Sequence, residues 1–417
     1  MNTVLVIGAG AAGMMAAYAA AQAGASVLCV EKNEKCGRKI YISGKGRCNL
    51  TNACAPDELA GNVVSNPKFL YSTFSKFNNE SAIRFFHEQG LATKVERGNR
   101  VFPVSDHASD VIRTLEMACR KAGVRFRMNT AVRDILVAGG RFKAAVLDDG
   151  QTLAADACVI ATGGLSYPTT GSSGDGFGWA RKLGVAVTDL RPSLVGLRVK
   201  EDCCARMEGL SLKNVEVRIL DGGKEVFREF GEMLFTRRGV SGPVILTASA
   251  RIGKRLETRE LKMFIDLKPA LDEKKLDDRI LRDFEGEKNR DFANSLGKLL
   301  PVKMIPEVIG LSDIAPQTKV HEIRRGQRLQ LIQVIKNFPL TITGSGDFSE
   351  AVVTQGGVSV REIDPSAMRV KKVPGLFMAG EILDVDALTG GFNFTIAWST
   401  GYTAGINAAK YAAGNEG

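Results

Sequence analysis

The chain has 417 residues, 44% hydrophobic and 24% charged, which is typical of a soluble globular protein with two or three domains. Its formal net charge of +10 leaves room for a polyanionic partner without requiring one. Only three histidines and eight cysteines without a CxxC pair fit poorly with a zinc, iron–sulfur or disulfide framework, so we expect no metal and reduced thiols.

An uncharged run over residues 3–30 is the one stretch that could be mistaken for a membrane segment. Glycines interrupt it and no basic leader precedes it, so a strand and helix of a cofactor-binding fold explain it better. We therefore expect a cytoplasmic protein with no membrane partner.

The same run carries the order strand, glycine turn, helix, strand and acid that a dinucleotide-binding βαβ unit requires. The strands are predicted over residues 3–7 and 26–30, with a helix over 14–23 between them. The turn is Gly8-Ala9-Gly10-Ala11-Ala12-Gly13, and Glu31 ends the second strand. In such a unit the first glycine allows a sharp turn, the second a close approach to pyrophosphate, and the third tight helix packing. The helix N-terminus favours the phosphates, and the Glu31 carboxylate can accept hydrogen bonds from ribose hydroxyls.

Residues 36–52 alternate glycines with basic, hydroxyl and amide side chains. This composition builds no core, so we interpret the stretch as a glycine-backed clamp around an anion and a ring rather than a plain surface loop. Ser43, Asn49 and Thr51 can donate hydrogen bonds, while Arg38, Lys39 and Arg47 offset phosphate charge. Cys48 is expected to be a small buried cysteine rather than a redox thiol.

The next elements follow from periodicity. Apolar spacing predicts helix within residues 66–90 and over 108–121, an extended piece over 101–104, and strands over 124–128, 131–137 and 142–147. A buried strand at residues 158–160 then runs into Ala161-Thr162-Gly163-Gly164 and a long loop rich in glycine and hydroxyl residues, before a helix over 177–183. Together with the first glycine turn, this second motif predicts a two-motif flavin fold.

From about residue 191 the pattern changes to alternating strands, over 194–199, 215–220, 225–230, 233–235 and 261–267, and then to charged helices over 269–338. We interpret this block as an insertion. It contains a glycine-rich loop over 231–243, with Arg237 and Arg238, that either faces an active site or simply turns the chain.

Near residue 341 the chain returns to the first domain. A strand enters a sharp turn at Gly380-Glu381, and Gly390-Gly391 opens a small-residue helix that runs to Lys410. We predict an α/β fold with a parallel sheet: a Rossmann-type domain from residues 1–190 and 341–417, a β-rich insertion over 191–268, and a helical insertion over 269–340.

Six motifs together resemble those of the BaiN-like flavoproteins, which are NAD(P)/FAD-dependent or aminoacetone-oxidase-type oxidoreductases. They are GAGAAG with Glu31, CGRKIYISGKGRCNLTN, ATGGLSYPTTGSSGDG, FTRRGVSGP, TQGGV and GLFMAGEILDVDALTGGFNF. The resemblance covers nearly the whole chain. It implies an enzyme with a Rossmann-type FAD domain, and an inserted β domain and helical domain that close over the flavin.

The resemblance also implies the cofactor contacts. Gly8, Gly10, Ala11, Ala12 and Gly13 would hold the pyrophosphate, Glu31 and Lys32 the ribose side, and Val132 the adenine. The clamp would comprise Arg38, Lys39, Ser43, Gly44, Gly46, Arg47, Cys48, Asn49 and Thr51, and the second motif Ala161, Thr162, Gly163, Gly164 and Tyr167. Gly380, Glu381 and Asp384 would form the ribityl-phosphate turn, and Gly391, Phe392 and Asn393 would approach the N1–O2 edge of the ring. Glu381 departs from the Asp of many related flavin folds.

We hypothesise hydride transfer between flavin N5 and a substrate carbon. No second GxGxxG stands in a strand–helix context, so NAD(P)H, if it is the donor, would bind transiently. The substrate we expect is an activated C=C in a steroid-like enone. Uridine in ribosomal RNA, an amine oxidised by oxygen, and a non-catalytic flavin-binding scaffold stay open as alternatives. The proton donor is not identified, with Tyr167, Arg237 and Arg238 as weak candidates, and neither the electron donor nor the oligomeric state follows from the sequence.

Overall fold

The computed structural model describes residues 2–414. Residue 1 and residues 415–417, which belong to the predicted Rossmann-type domain, lie outside the described residues. The chain divides into two compact units. Both chain ends, up to Ser193 and from Phe348, form the first unit, and Leu194–Asp347 forms the second.

The strands before residue 194 are β1 Thr3–Ile7, β2 Ser26–Val30, β3 Thr51–Asn52, β4 Thr93–Glu96, β5 Arg100–Pro103, β6 Arg125–Arg127, β7 Val132–Ala138, β8 Arg141–Leu147, β9 Thr152–Ala154, β10 Ala157–Ile160 and β11 Arg191–Ser193. The helices there are α1 Ala11–Gln22, α2 Arg38–Ile42, α3 Tyr71–Lys76, α4 Asn79–Glu88, α5 Ala108–Lys121 and α6 Asp175–Lys182.

The second unit contains strands β12 Leu197–Val199, β13 Ser211–Asp221, β14 Lys224–Thr236, β15 Gly239–Ser241, β16 Leu261–Asp266 and β17 Phe338–Ser345. Its helices are α7 Cys203–Arg206, α8 Pro243–Leu256, α9 Glu273–Glu285, α10 Ile305–Leu311 and α11 Arg325–Lys336. The first unit is completed by β18 Val353–Gln355, β19 Leu376–Met378 and α12 Phe392–Ala412.

A five-stranded parallel sheet in the order β19-β10-β1-β2-β6 forms the centre of the first unit. Its central strands are apolar and buried, as expected for a parallel sheet covered on both faces. All five carboxyl ends lie at one edge because the strands are parallel. The chain after β1, after β2, after β10 and after β19 therefore meets there, which is where ligands bind in such sheets.

Helices α1 and α12, from opposite ends of the chain, pack backbone to backbone. A Cβ at Gly401 would lie 2.4 Å from the carbonyl oxygen of Ala12, and one at Gly405 would lie 2.2 Å from that of Ala16. Small residues thus set the distance between the two helices. Smaller sheets surround this centre, in the orders β3-β5-β4, β7-β8-β9 and β11-β18.

The second unit is built on a closed barrel in the order β12-β15-β14-β13-β16-β17. Side chains alternate along its strands, with Val217, Met263 and Ile342 inward and fully buried. Closure leaves no strand edge unpaired. Leu276 of α9 and Ile332 of α11 belong to the same hydrophobic core as the barrel.

The predicted α/β fold with a Rossmann-type sheet and a β-rich insertion is confirmed by this topology. Other details differ. The structure groups the predicted β-rich and helical insertions in one unit, and residues 341–345, assigned to the Rossmann-type domain, complete barrel strand β17. The predicted loop over 231–243 is instead the end of β14, a two-residue turn and β15.

Candidate functional site

The glycine turn after β1 is held by contacts that exclude any side chain. Gly8 has a left-handed φ of +101°, and a Cβ there would lie 2.6 Å from the carbonyl oxygen of Ala161, beyond β10. A Cβ at Gly13 would lie 1.8 Å from the carbonyl oxygen of Gly8. The structure thus brings the two predicted motifs, around Gly8 and Ala161, into contact.

Gly10 differs from these two glycines. It precedes α1 with an ordinary φ of −83°, and no atom lies within 4 Å of a Cβ placed there. The open volume faces the first turn of α1, where Ala11 and Ala12 begin the helix and backbone N–H groups lack helical acceptors. An empty space at the positive end of a 12-residue helix fits a pyrophosphate.

Glu31, at the carboxyl end of β2, is buried and held in one orientation. Its Oε2 accepts a hydrogen bond from the N–H of Ala9 at 2.8 Å, and its Oε1 accepts from the N–H and the Nδ2 of Asn33 at 2.9 and 2.6 Å. A carboxylate offers about four acceptor positions, so capacity for a ribose hydroxyl remains on Oε2.

An open cavity of about 440 Å³ lies beyond Glu31 at the predicted adenine side. Lys32 and Val132 line it, together with Ala131, Arg133, Asp148, Asp175, Gly178, Trp179 and Lys182. The ammonium of Lys32 pairs with Asp175 at 2.7 Å, so it is occupied within the protein. The cavity has the size for an aromatic base next to the strand start at Val132.

The predicted clamp contains regular secondary structure. Its first part forms α2, and residues 43–46 form a short 3-10 turn with left-handed backbone at Gly44 and Lys45. Cys48 also has a left-handed φ of +58° and is buried, and burial raises the pKa of its thiol to about 12. It therefore stays a thiol at neutral pH, in agreement with the interpretation as a small buried cysteine.

Arg47 is engaged by the protein itself. Its guanidinium donates to Glu96 at 2.5 Å and to Asp106 at 2.8 Å, and stacks on the ring of Phe102 at 4.2 Å. These contacts join the clamp to β4, β5 and the turn before α5. The structure therefore supports a role in holding the clamp rather than in offsetting phosphate charge.

Lys39 and Glu381 form an ion pair of 2.5 Å, although 342 residues separate them in the chain. The side chains are 27% and 16% exposed. Ser166 accepts from Lys39 and donates to Glu381, both at 2.5 Å, and the N–H of Thr354 donates to Glu381 at 2.8 Å. Glu381 is therefore held in place by contacts within the protein, and the ribityl contact expected of it stays a prediction.

Two opposing effects set the pKa of Glu381 in this network, namely burial and the contacts with Lys39, Ser166 and Thr354. Burial alone would raise the pKa, but the Lys39 charge and the hydrogen bonds from Lys39, Ser166 and Thr354 outweigh burial and hold it below its usual value. Glu381 therefore stays ionised.

The guanidinium of Arg38, another cation of the predicted clamp, donates to the side-chain oxygen of Asn33 at 2.9 Å. Both predicted cations, Arg38 and Lys39, thus have acceptors within the protein.

The second motif contributes polar groups without partners. Thr162 has a buried hydroxyl that finds no hydrogen bond within the described residues, and the same is true of the Asn49 side-chain oxygen in the clamp. Buried polar atoms are nearly always paired, so two unpaired ones among predicted contact residues indicate a ligand or water. Gly163 and Tyr167 both have left-handed φ values, of +75° and +50°, and Gly164 packs against Thr354.

The carboxyl-terminal motif, around Gly380 and Gly391, contacts the glycine turn after β1 and the clamp. A Cβ at Gly380 would lie 2.7 Å from that of Ala12, and one at Gly391, before α12, would lie 2.4 Å from the carbonyl oxygen of Thr51. Thr51 also shares a 2.7 Å hydrogen bond with Thr395 of α12. The structure therefore brings together the pyrophosphate turn, the clamp and the helix opened by Gly391.

Four of the residues predicted to contact the cofactor are engaged or buried within the protein, and their predicted contacts stay untested. Asn393 bonds both backbone groups of Ala387, accepting at 3.0 Å and donating at 2.7 Å, and Phe392 is buried in the core. Ser43 donates to the carbonyl of Ile40 at 2.7 Å. Asp384 is half-buried, and burial raises the pKa of its carboxyl.

Three groups were missed by the sequence analysis. Ser166 and Thr354 complete the network around Glu381, and Asp386 is a fully buried carboxyl whose Oδ2 accepts from Gln355 at 3.2 Å. Thr354 and Gln355 belong to the TQGGV motif, to which the sequence analysis assigns no contact. Polar residues placed before a double glycine were the available indication.

Arg237 and Arg238, the other weak catalytic candidates, lie in the second unit. They form the exposed two-residue turn that joins Thr236 of β14 to Gly239 of β15.

In the part of the chain that the structure describes, no cluster of three or more His, Cys, Asp or Glu side chains could hold a metal ion. No described helix has the length and apolar character needed to cross a bilayer.

The family described as the HI0933-like protein Rossmann domain matches residues 2–407. The chain is 33% identical to the 3-dehydro-bile acid delta(4,6)-reductase of Clostridium scindens, over 98% of this chain and 100% of that protein. It is 32% identical to the ribosomal RNA dihydrouridine synthase of Escherichia coli, over 95% and 96% of the two chains. Both relatives are named for enzymatic activities, in agreement with the prediction of an enzyme.

Solved structures share the fold at low identity. The 3-ketosteroid-delta4-(5alpha)-dehydrogenase of Rhodococcus jostii RHA1 superposes with a TM-score of 0.52 at 15% identity, over 98% of this chain and 96% of that one. The 3-ketosteroid delta1-dehydrogenase of Sterolibacterium denitrificans gives the same TM-score of 0.52 at 15% identity, over 100% of both chains.

Proposed function

Because the chain belongs to the family of the HI0933-like protein Rossmann domain, we propose that it is an FAD-dependent oxidoreductase that reduces an activated carbon–carbon double bond. One observation carries this proposal: the open space at Gly10, the oriented carboxylate of Glu31 and the turn at Gly380 meet at one edge of the parallel sheet. That arrangement fits the pyrophosphate, ribose and ribityl parts of a single dinucleotide.

FAD, when bound, supplies two-electron hydride chemistry at its N5 atom. The protein's own groups would bind and orient it. Backbone N–H groups at the start of α1 would hold the pyrophosphate, and Oε2 of Glu31 a ribose hydroxyl. The N-terminus of α12, after Gly391, would favour negative charge on the ring edge that faces it, because the helix is 21 residues long and its first N–H groups point outward.

A steroid-like enone is the substrate class that we place first. The relative from Clostridium scindens is named as a bile acid delta(4,6)-reductase, and an enone accepts hydride at its β-carbon because the carbonyl stabilises the resulting negative charge. We propose NADH or NADPH as the electron donor, bound transiently rather than on a Rossmann domain of its own.

A uridine of ribosomal RNA is the second candidate, because uracil carries the same conjugated C=C–C=O unit. The relative from Escherichia coli is named for that product. The specific observation in its favour is a group of exposed, unpaired cations on the barrel, described below. Both candidates use one chemistry and differ in how the substrate is held.

The test begins with the colour and flavin content of the purified protein. Anaerobic mixing with NADH and with NADPH should bleach the flavin absorbance, and stopped-flow reoxidation is then followed with a steroid enone, ribosomal RNA and oxygen in turn. Reoxidation by the enone or by RNA supports the respective candidate. Fast reoxidation by oxygen with peroxide release in the presence of an amine contradicts both, and a colourless protein that takes up no FAD contradicts the proposal as a whole.

A further inference from the structure

Three exposed cations stand on adjacent strands of the barrel. Lys200 directly follows β12, and its N–H donates to the carbonyl of Thr341 on β17 at 2.9 Å. Thr341 is in turn the cross-strand partner of Lys262 on β16. Adjacent strands are about 4.8 Å apart, so the two lysine backbones are separated by about 10 Å with a threonine between them.

A second row of cations runs beside the first. Arg198 points outward from β12 between Gly239 and Gly344, its cross-strand partners on β15 and β17. The exposed turn of Arg237 and Arg238 adjoins it, since the carbonyl of Arg238 accepts from the N–H of Val199 at 3.2 Å. We call Arg198, Lys200, Arg237, Arg238 and Lys262 the basic barrel face.

These cations differ from Arg228 and Arg255 of the same unit, which have acidic partners. Arg228 pairs with Glu216 at 2.8 Å and with Glu225 at 2.6 Å, and Arg255 pairs with Asp221 at 2.9 Å. Within the described residues, no member of the basic barrel face forms an ion pair at 4.0 Å or less.

The carboxylate of Glu201 also lies at the basic barrel face, since its Oε2 accepts from the N–H of Thr341 at 2.8 Å, so the five cations leave a net positive charge rather than a purely basic surface. Like charges on neighbouring positions repel one another, and a bound polyanion would reduce that repulsion.

The surroundings of the cations are open and polar. The two glycines beside Arg198 leave its guanidinium accessible from both sides, and Thr343 is exposed next to it on β17. Lys262 donates to the hydroxyl of Thr341 at 2.8 Å and keeps further N–H donors. Guanidinium, ammonium and hydroxyl groups on a flat strand surface suit phosphate oxygens better than apolar side chains.

We propose that the basic barrel face binds the sugar–phosphate backbone of single-stranded or loop RNA. This inference rests on the second candidate of the proposed function, for which it supplies the surface that holds the substrate. Nucleic acid is favoured over an acidic protein because the face offers rows of cations with hydroxyls and no exposed apolar anchor among its members. Contacts to phosphates carry little sequence preference, so the target uridine would be selected elsewhere.

The test measures binding of a fluorescein-labelled 20-nucleotide RNA by anisotropy over a series of salt concentrations. The face variant is R198A/K200A/K262A, which leaves the catalytic candidates Arg237 and Arg238 in place. The matched control is K224A/K274A/R325A, which removes the same charge from exposed positions of the same unit. Each phosphate contact contributes about 0.7 to the salt slope for a single strand, so the face variant should lose about 2 from the slope and bind more than tenfold more weakly at low salt.

The control should bind within about threefold of the wild type. Equal weakening of both variants would overturn the assignment, since net charge rather than this surface would then explain binding. Displacement of the RNA by polyglutamate at equal charge would point to an acidic protein and also overturn it. Enone reduction by the wild type is measured separately: a protein that reduces enone without binding RNA contradicts the face alone, and one that binds RNA through the face but takes up no flavin contradicts the proposed function alone.

Discussion

The carbonyl oxygen of Gly8 lies 1.8 Å from the position that a Cβ would take at Gly13, so the glycine turn and the first turn of α1 touch backbone to backbone. Gly8 and Gly13 are therefore required by the fold, whether or not a cofactor binds. Gly10, between them, is free of such contacts, which allows the roles of structure and ligand to be separated within one motif.

The variant Gly10→Ala should fold normally and lose flavin. Its methyl group meets no protein atom within 4 Å but occupies the space assigned to the pyrophosphate. We expect affinity for FAD to fall by roughly 100-fold, because a steric contact and N–H donors are affected together. Flavin titration and thermal unfolding of the apoprotein check this. Gly326→Ala, an equally open position in α11, is the control and should retain flavin; equal affinity in both variants would contradict the pyrophosphate assignment.

The Lys39–Glu381 pair predicts a strong non-additive effect. Lys39→Met leaves the largely buried Glu381 carboxylate without its counter-charge, and we expect a loss of about 2–3 kcal/mol in the free energy of unfolding. The double variant Lys39→Met/Glu381→Gln should recover part of that loss, because the amide oxygen still accepts from Ser166 and Thr354. Urea denaturation of the two single variants and the double variant measures the coupling. Additive losses would show that the pair is not coupled.

The raised pKa of Asp386 leads us to expect that the free energy of unfolding depends on pH. Burial raises its pKa to about 6, while hydrogen bonds from Ser65, Gln355 and Ser193 oppose the rise and the charge of Asp384 adds to it. A raised folded-state pKa means that the group's contribution is fully present below its unfolded value of about 3.9 and is lost as the pH rises through 6. That loss amounts to about 3 kcal/mol.

The variant Asp386→Asn should therefore gain about 2 kcal/mol relative to the wild type between pH 4 and pH 7.5, because at pH 4 the unfolded carboxyl is already partly ionised. Denaturant unfolding at both pH values measures this gain. Asp156 provides a control of opposite sign, since hydrogen bonds from Thr3 lower the pKa of its carboxyl. Asp156→Asn should lose stability relative to the wild type at pH 7.5, with the difference fading toward pH 3. Parallel pH profiles for wild type and Asp386→Asn would refute the assignment.

Arg47 should control the order of the clamp. The variant Arg47→Gln loses the contacts to Glu96 and Asp106, so amides over residues 43–48 should exchange with solvent on the order of tenfold faster. Arg100→Gln is the matched control: Arg100 also faces the ring of Phe102, at 5.7 Å, but its guanidinium donates to the carbonyl of Arg97 at 3.0 Å. Hydrogen exchange by mass spectrometry gives the measurement, and unchanged exchange in Arg47→Gln would show that the clamp is held by its backbone alone.

Apolar spacing and glycine positions within a short stretch correctly predicted several strands and helices. The strands Thr3–Ile7 and Ser26–Val30 and the helix Ala108–Lys121 lie at the predicted residues. Continuous apolar runs mark the strands, helical apolar spacing marks the helix, and glycines stand at their ends. Helix α1 begins three residues earlier than predicted, at Ala11, since its first turn is part of the glycine motif itself.

Such patterns do not predict contacts between segments that are distant in the sequence. The closed barrel depends on pairing β12 with β17, and the partner of Lys39 lies at the other end of the chain. Charged residues near a glycine motif suggest phosphate binding, and the sequence contains nothing that distinguishes this from an internal ion pair. Of the predicted clamp, the structure leaves Asn49 with an unpaired oxygen, while Arg47 and Lys39 are paired within the protein.

The packing of α1 against α12 has a consequence for synthesis. The first helix of the chain acquires its backbone partner only when Gly401 and Gly405 have been translated, whereas the barrel unit ends at Asp347. On the ribosome the barrel can thus complete its core while the nucleotide-binding sheet still waits for strand β19. A nascent chain arrested before residue 376 would still expose the α1 side chains that the complete fold buries, and chaperone capture of such a chain is expected.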